Sequence, residues 1–160
     1  MHALTEADVA QTLRNATAEE VKHLTVPIGF YIADWDHQDF YAWADPRHAG
    51  RGYLIVQSGD EATGIVLRRA DGHSRVRSAL CNICHTMQPG DQVAMFTARK
   101  AGYAGEKGDS IGTMKCADLS CHDNVRLAAP LAPGEVRASV DRRIDSTRLR
   151  AENLVAQVLA

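Results

Sequence analysis

The sequence predicts a mixed α+β fold in one domain, with an antiparallel sheet at its centre. Two runs of strand-forming residues, Tyr53 to Gln57 and Thr63 to Arg68, flank a Ser-Gly-Asp-Glu turn, which is the pattern of a β-hairpin. Apolar residues recur at helical spacing near both ends of the chain. The four cysteines form two close pairs between these regions. With 160 residues, the chain is long enough to bury a core of its own.

Two short helices are predicted within residues 1–27. Thr5 is a suitable N-cap, because acidic residues follow it in the first turn. Thr17 and Glu20 have the spacing of a capping box for a second helix, and Pro27 ends that run. The expected apolar stripe of the first helix consists of Val9, Leu13 and Ala16. Helices this short are marginal alone, so they must pack on the rest of the chain.

An aromatic-rich segment follows the predicted helices, with turn signals at Asp45-Pro46 and Gly50-Arg51-Gly52. Its large side chains are Phe30, Tyr31, Trp35, Phe40, Tyr41 and Trp43. Large aromatics in an irregular segment usually fill a core or cover the edge of a sheet. We expect that role here, in preference to stacking on a ligand.

Further elements are predicted around the cysteine pairs. Strands are expected from Val76 to Leu80, from Gln92 to Thr97 and from Thr113 to Lys115. Met87 to Gly90 has the composition of a turn. A short helix is expected to begin at Ala117 and to carry Cys121, Val125 and Leu127. A last helix is expected from about Glu135 to Leu159, docked by its apolar stripe.

Residues 98–112 form a glycine-rich, basic stretch between two of these strands. Its glycines do not have the spacing of a phosphate-binding P-loop. Two interpretations remain open from the sequence: a long hairpin loop, or a loop that carries function.

The cysteines predict a structural zinc site. Cys81 and Cys84 form a C-x2-C pair, Cys116 and Cys121 form a C-x4-C pair, and four thiolates suit a tetrahedral Zn²⁺. The first cysteine pair is expected on a tight turn, or knuckle, which is followed by a hairpin and then by a helix that carries the last ligand. This order is that of a treble-clef-like zinc finger. A helix that starts near the second pair is expected to point backbone N–H groups at the metal. A site closed by four cysteines leaves no position for a catalytic water, so we expect a protein that is not an enzyme.

Three alternatives to zinc compete for the same cysteines. Disulfides are disfavoured because the chain shows no secretory signal. A thioredoxin-like redox motif requires C-x-x-C between a strand and a helix, whereas a turn is expected after Cys84. His85 completes a C-x-x-C-H haem-attachment pattern, and His122 follows Cys121, so a dihaem protein would explain both histidines. The haem alternative requires export, for which the N-terminal sequence carries no signal.

Composition sets further limits on function. The formal net charge of −2 argues against a globally basic nucleic-acid-binding protein. No apolar run has the length of a membrane span, and the first residues lack the basic and apolar regions of a signal peptide. We therefore expect a cytoplasmic protein without a membrane partner.

Several motifs around the cysteines resemble a known family. They are Met95-Phe96-Thr97-Ala98-Arg99-Lys100-Ala101-Gly102, Gly112-Thr113 and Cys116-Ala117-Asp118-Leu119-Ser120-Cys121. Together they resemble the FBP-type treble-clef zinc-finger domain of elongation factor G-binding proteins, which include the fusidic-acid-resistance proteins. The aromatic segment from Asp34 to Pro46 is similar to short, single-module relatives from actinobacteria. The resemblance extends over roughly Trp35 to Arg126.

The resemblance implies a ligand set and a partner. It implies that Cys81, Cys84, Cys116 and Cys121 hold Zn²⁺, although some relatives have a histidine where this chain has Cys116. It also implies binding to elongation factor G, on the ribosome in the case of the resistance proteins. Those proteins carry a substantial N-terminal helical bundle, where this chain has two short predicted helices.

We divide the chain into an N-terminal helical segment (1–27), a zinc-finger domain (28–130) and a C-terminal helix (131–160). The expected partner surface combines aromatic and basic residues, which are common interface anchors. Its members are Arg77, Phe96, Arg99, Lys100, Tyr103 and Lys107. No small-molecule substrate is expected.

Ribosomal RNA is the alternative partner. Eight basic and four acidic residues lie between Arg68 and Lys115, which leaves a local excess of four positive charges in a chain that is negative overall. Binding through phosphates would weaken steeply with salt.

Overall fold

A computed structural model describes residues 1–72, 77–127, 134 and 136–160. The strands are β1 (Tyr41–Ala44), β2 (Arg51–Ser58), β3 (Glu61–Arg69), β4 (Ser78–Leu80), β5 (Met87–Pro89), β6 (Val93–Arg99) and β7 (Ser110–Cys116). The helices are α1 (Glu6–Thr12), α2 (Ala18–Lys22), α3 (Ile28–Tyr31), α4 (Gly102–Glu106), α5 (Cys121–Asn124) and α6 (Val140–Leu159). Short 3₁₀ turns lie at Trp35–His37 and Gly90–Gln92. The predicted α+β class and antiparallel sheet are confirmed.

Five strands form the main sheet in the order β1-β2-β3-β6-β7, and every neighbouring pair is antiparallel. The predicted β2–β3 hairpin pairs along its whole length, from Arg51 with Arg68 to Ser58 with Glu61. The join between β3 and β6 is much shorter, because only Arg68 with Thr97 and Arg69 with Phe96 are paired. β4 and β5 form a separate two-stranded sheet.

Two apolar cores lie on opposite faces of the main sheet. Successive side chains of a strand point to opposite faces, so Tyr53 and Ile55 belong to one core, and Leu54 and Val56 to the other. The first core includes buried side chains from the N-terminal segment and the aromatic segment. The second includes α6 and all four cysteines. The sheet is therefore the middle layer between the N-terminal helices and α6.

The N-terminal helices begin as the sequence predicts. Thr17 and Glu20 form a reciprocal capping box at α2, and Thr5 forms a second one with Asp8 at α1. Val9 is fully buried, whereas Ala16 lies beyond the end of α1. Each box satisfies N–H groups that would otherwise lack partners at the first turn.

The aromatic segment contributes to both cores, as predicted, except that Tyr31 is 63% exposed. Phe30, Phe40 and Trp43 are buried, and the Trp43 ring stacks on Tyr53 with centroids 4.7 Å apart. The segment also contains β1, a strand that the sequence analysis did not predict. The large aromatics of β1 alternate with alanines, so the strand lacks the usual alternation of apolar and polar residues.

Three predicted boundaries were wrong. Met87–Pro89 is strand β5 and not a turn, because it pairs with β4. The short helix begins at Cys121 and not at Ala117, because Leu119 adopts a positive φ of 65° that interrupts the chain before it. The last helix begins at Val140, where the Ser139 side chain accepts a hydrogen bond from the Arg142 N–H.

Some predictions fall wholly or partly outside the described residues. They concern Arg75 in the basic excess, Val76 at the start of a strand, and Glu135 at the start of the last helix. The division of the chain at residues 27 and 130 stays a prediction, although buried side chains from both end segments complete the two cores.

A buried asparagine joins the N-terminal segment to the sheet. Asn15 is 3% exposed, and its Oδ1 accepts from the Val66 N–H at 2.7 Å. Its Nδ2 donates to the carbonyl oxygens of Val66 at 3.1 Å and Arg99 at 2.8 Å. Arg99 returns a bond from Nη2 to the Asn15 carbonyl at 3.0 Å. Asn15 thus bridges β3 and β6 beside their short join.

Replacing this asparagine should destabilise the fold. Asn15→Ala leaves buried backbone groups of Val66 and Arg99 without their partner, so we expect a loss of about 3 kcal/mol in the free energy of unfolding. Urea denaturation measures the loss. Gln11→Ala on the exposed side of α1 is the control and should change stability little. Equal stability of the two variants would contradict the bridging role.

Candidate metal centre

Three structural features carry the four cysteines: the connection between β4 and β5, strand β7 and helix α5. Cys81 follows β4, and Cys84 lies in the turn between β4 and β5. Cys116 is the last residue of β7, and Cys121 is the first residue of α5. All four side chains are buried. The observed order of knuckle, hairpin and helix confirms the treble-clef arrangement.

The four sulfurs form one compact cluster, with all Sγ atoms within 4.8 Å of one another. The Sγ atoms of Cys81 and Cys121 are 3.6 Å apart, as are those of Cys84 and Cys116. A tetrahedral zinc with Zn–S bonds of about 2.3 Å requires sulfurs about 3.8 Å apart. The spacing therefore fits one Zn²⁺, whereas it is too long for disulfides, whose S–S bond is about 2.05 Å.

Four thiolates at this spacing require a cation for electrostatic reasons. Hydrogen bonds from the Cys116, Cys121 and Cys84 thiols hold the pKa of Cys81 far below its usual value. The pKa of Cys121 is raised, first because its thiol is hydrogen-bonded to the Cys116 sulfur. Without a cation, the buried sulfurs cannot all be anionic together, because each added negative charge opposes the next. A bound Zn²⁺ removes this conflict and holds four thiolates.

Hydrogen-bond donors support two of the sulfurs. The N–H groups of Ile83 and Cys84 donate to Cys81 Sγ at 3.4 and 3.5 Å. The side-chain amides of Gln88 and Asn124 donate to Cys116 Sγ at 3.1 and 3.4 Å. Such outer contacts orient ligands and stabilise their negative charge. The sequence analysis did not identify either amide. Nothing in the sequence pattern marks Gln88. Asn124 could have been found only from its position three residues after Cys121.

The helix beside Cys121 does not supply the N–H donors that we predicted. The N–H groups of Asp123 and Asn124 donate to the Ser120 carbonyl, closing the first turn. The donors come instead from the knuckle backbone and from side-chain amides.

Contacts from two other elements fix the knuckle in place. The Asn82 N–H donates to the Met114 carbonyl of β7 at 2.9 Å. Arg150 of α6 donates from Nε to the Ile83 carbonyl at 2.6 Å. His85 adopts a positive φ of 53° where the chain leaves the knuckle. The metal centre is therefore anchored both to the hairpin and to the last helix.

The two histidines that follow cysteines lie outside the ligand cluster. His85 is exposed, whereas His122 is close to Arg126 and Asp39. The dihaem alternative would place each cysteine pair on its own porphyrin. The convergence of both pairs on one point contradicts it.

The structure separates the residues of the predicted partner surface. Phe96 is 2% exposed and belongs to the core around the cysteines, so its inclusion was wrong. Arg99 is half-buried and bound to Asn15, which gives it a structural role. Lys100, Tyr103 and Lys107 lie together at or near α4. Arg77 lies at the other end of β6, beside Gly90.

The metal centre lies at one end of the β6–β7 hairpin and α4 at the other. Val93 pairs with Cys116, and Arg99 pairs with Ser110. Six residue steps along the strand separate these pairs, or about 20 Å. The basic insert therefore lies at the end of the hairpin that is remote from the metal centre.

The insert itself contains a short helix and not an open loop. α4 packs tightly, since a Cβ on Gly105 would lie 1.7 Å from the Lys100 carbonyl oxygen. The N–H of Ala101 donates to the Val158 carbonyl of α6. Tyr103 is 70% exposed, and the Lys107 ammonium lies 4.5 Å from its ring centroid. α4 therefore presents a fixed aromatic and basic surface, which we call the α4 surface (Lys100, Tyr103 and Lys107).

Not all of the basic residues counted between Arg68 and Lys115 are available on the surface. Lys115 is completely buried, and Arg68 pairs with Glu20. Arg99 is held by Asn15. Of the remaining described basic residues, Lys100 and Lys107 lie together beside α4, Arg77 lies at the metal end of the hairpin, and Arg69 pairs with Phe96 midway along β6.

The fold and the metal centre define a treble-clef zinc-finger protein. A family model, the FBP C-terminal treble-clef zinc-finger, matches residues 8–158. The chain belongs to this family, and its four buried cysteines bind Zn²⁺. The match extends on both sides of the region that carried the resemblance. No curated protein and no solved structure matches the chain. Among the described residues, no helix has the length and apolar character to cross a membrane.

Loss of one ligand should release the metal and loosen the knuckle. Cys116→Ser removes a thiolate that also receives the Gln88 and Asn124 amides. We expect the purified wild type to contain one zinc per chain, and the variant to lose most of it. Elemental analysis measures the zinc, and hydrogen exchange should show lost protection over residues 78–89.

Ser110→Ala is the matched control, because it changes an exposed residue at the other end of the same strand. It should keep its zinc and its protection. A Cys116→Ser protein with equimolar zinc and an unchanged exchange pattern would refute the four-cysteine assignment.

Proposed function

We propose that the protein is a non-enzymatic binding module for elongation factor G, acting in the cytoplasm on the free factor or on the translating ribosome. Two lines of support carry the proposal: the resemblance to factor-binding proteins, and the exposed α4 surface. The exposure of Tyr103, at 70%, is the observation that supports this choice of surface. A large aromatic left uncovered beside a lysine is typical of an interface anchor.

The metal centre has a supporting role in this function. Four cysteine ligands fill the coordination of zinc and leave no position for a reacting water. The metal closes the hairpin at the Cys116 end, and the bond from Ala101 to Val158 fixes the opposite end on α6. The α4 surface is thereby presented in one orientation, which lowers the entropy cost of binding.

Binding would act on the factor through a difference in affinity between its states. A protein that contacts one conformation of elongation factor G more strongly shifts the factor towards that conformation. Promotion of release from the ribosome follows if the preferred conformation is the one with lower ribosome affinity.

The alternative partner, ribosomal RNA, has less support. A phosphate-binding surface needs several free basic groups close together. Three of the eight basic residues counted in the sequence are buried or bound to other residues. Among the others that the structure describes, only Lys100 and Lys107 lie close together. We therefore favour the protein partner.

The α4 surface can be tested with purified components. Tyr103→Ser combined with Lys107→Ser should weaken binding to the cognate elongation factor G by about tenfold or more, because it removes an aromatic anchor and its cation. Calorimetric titration measures the dissociation constant. Arg99 is left intact, since its loss would also disturb Asn15.

The matched control changes the same residue types elsewhere, in Lys22→Ser with Tyr31→Ser, which are exposed on α2 and α3. This control should bind like the wild type. Absence of binding by the wild type would refute the proposed partner, and equal binding by the α4 variant would refute the surface. Capture of ribosomal RNA that is lost steeply with salt would favour the alternative.

A further inference from the structure

The short helix α3 leaves three large apolar side chains in solvent. Ile28 is 84% exposed, Ile32 is 81% exposed and Tyr31 is 63% exposed. Their spacing of three and four residues places them together on one face of the helix. A Cβ added at Gly29, beside that face, would meet no described atom within 4 Å. Single exposed apolar residues are ordinary, whereas a contiguous group of them marks an interaction site.

The opposite face of α3 is fixed to the first core. Phe30 is buried, and its ring packs edge-on against Trp35 and Tyr41, with centroids 5.1 and 5.7 Å away. Just before the helix, the Thr25 carbonyl accepts a hydrogen bond from Trp43 Nε1 at 3.0 Å. The exposed face is therefore held in one orientation by buried aromatic packing.

Carboxylates border the exposed face. The Tyr31 hydroxyl donates to the Glu6 carboxylate, which places that group beside the apolar side chains. Asp34 follows Ile32 by two residues, so the two Cα atoms lie within about 8 Å of each other. Asp34 accepts from His37, which is on its far side in the chain. The apolar face thus has an acidic rim.

The surrounding region is also acidic. Residues 1–40 contain seven acidic and two basic residues, which leaves an excess of five negative charges. Both basic side chains are paired, Arg14 with Glu61 and Lys22 with Glu19. Anionic membrane surfaces and nucleic acids are repelled by such a charge. A protein segment that carries lysine or arginine beside apolar side chains is complementary in both respects.

We propose that this face is a second protein-binding surface, which takes a basic amphipathic segment of a partner protein. We call it the α3 surface (Ile28, Tyr31 and Ile32, with the carboxylates of Glu6 and Asp34). Apolar side chains of the partner cover the two isoleucines, and its lysines or arginines pair with the carboxylates.

The α3 surface goes beyond the proposed function, because it differs from the α4 surface in position and in charge. α3 is packed into the first core through Phe30, whereas α4 is bonded to α6, which belongs to the second core. The α4 surface is basic and the α3 surface is acidic. The chain can therefore hold two partners of opposite charge at once.

A synthetic amphipathic peptide tests the surface. The probe has leucine on one helical face and lysine on the other, and its counterpart has glutamate in place of lysine. Fluorescence anisotropy of the labelled peptides measures their dissociation constants for the full chain with zinc bound. We expect the lysine peptide to bind, with an affinity that falls as salt rises, and the glutamate peptide not to bind. Amide shifts in NMR spectra should be largest within residues 28–34.

Substitution separates the apolar contribution from the charged one. Ile28→Ser with Ile32→Ser should weaken binding of the lysine peptide by about tenfold or more, because it removes the apolar contact. Glu6→Gln with Asp34→Asn should weaken binding at low salt and reduce its dependence on salt. Both isoleucines are largely exposed, so the double variant should fold; if it does not, Ile28→Ser alone undergoes the same measurements.

Leu127→Ser with Val136→Ser is the matched control, because it removes two exposed apolar side chains elsewhere in the chain. It should bind the lysine peptide like the wild type. Unchanged affinity in a folded isoleucine variant, or equal binding of the two peptides, would overturn the proposal.

Two other occupants of the surface have their own signatures. A wild-type dimer in sedimentation velocity that the isoleucine variant loses would assign the surface to a second copy of this chain. Binding to phosphatidylglycerol vesicles that the same variant loses would assign it to a membrane. Either result would also overturn the proposal. None of these measurements involves elongation factor G, so their failure is distinct from failure of the proposed function.

Discussion

Mutual repulsion among four buried thiolates is the constraint on which the rest of this structure depends. The sulfurs come from chain positions up to 40 residues apart, yet they lie within 4.8 Å of one another. A bound cation makes the convergence of four thiolates favourable, and zinc has the required ligand number and bond length. The knuckle, the β6–β7 hairpin and α5 therefore take up their positions as ligands of one ion.

The β6–β7 hairpin depends on the metal centre and on other contacts for its attachment to the rest of the fold. Only two residue pairs join β6 to β3, so the sheet alone fixes the hairpin weakly. Other contacts complete the attachment: Asn15 bridges the short join, Arg150 holds the knuckle to α6, and Ala101 binds the end of the same helix. The cysteines also contribute to the core that receives α6. The metal centre, the hairpin and α6 thus belong to one packing arrangement. All three determine the position of the α4 surface.

The sequence predicted what short-range chemistry controls and missed what tertiary contacts decide. The cysteine spacing, the Thr17–Glu20 capping box and the β2–β3 hairpin are local patterns, and each is confirmed. Strand β5 exists because β4 pairs with it, and α5 starts late because Leu119 takes a positive φ. Neither effect is visible in a linear pattern. Phe96 and Arg99 look like surface anchors in the sequence, but burial and a long-range partner give them structural roles.

The coordination of the metal tests this account most directly. X-ray absorption at the zinc K-edge of the purified protein reports the identity, number and distance of the ligand atoms. The account predicts four sulfur neighbours at about 2.3 Å and no lighter atom in the first shell. A first shell that includes nitrogen or oxygen, or that contains fewer than four sulfurs, would contradict it.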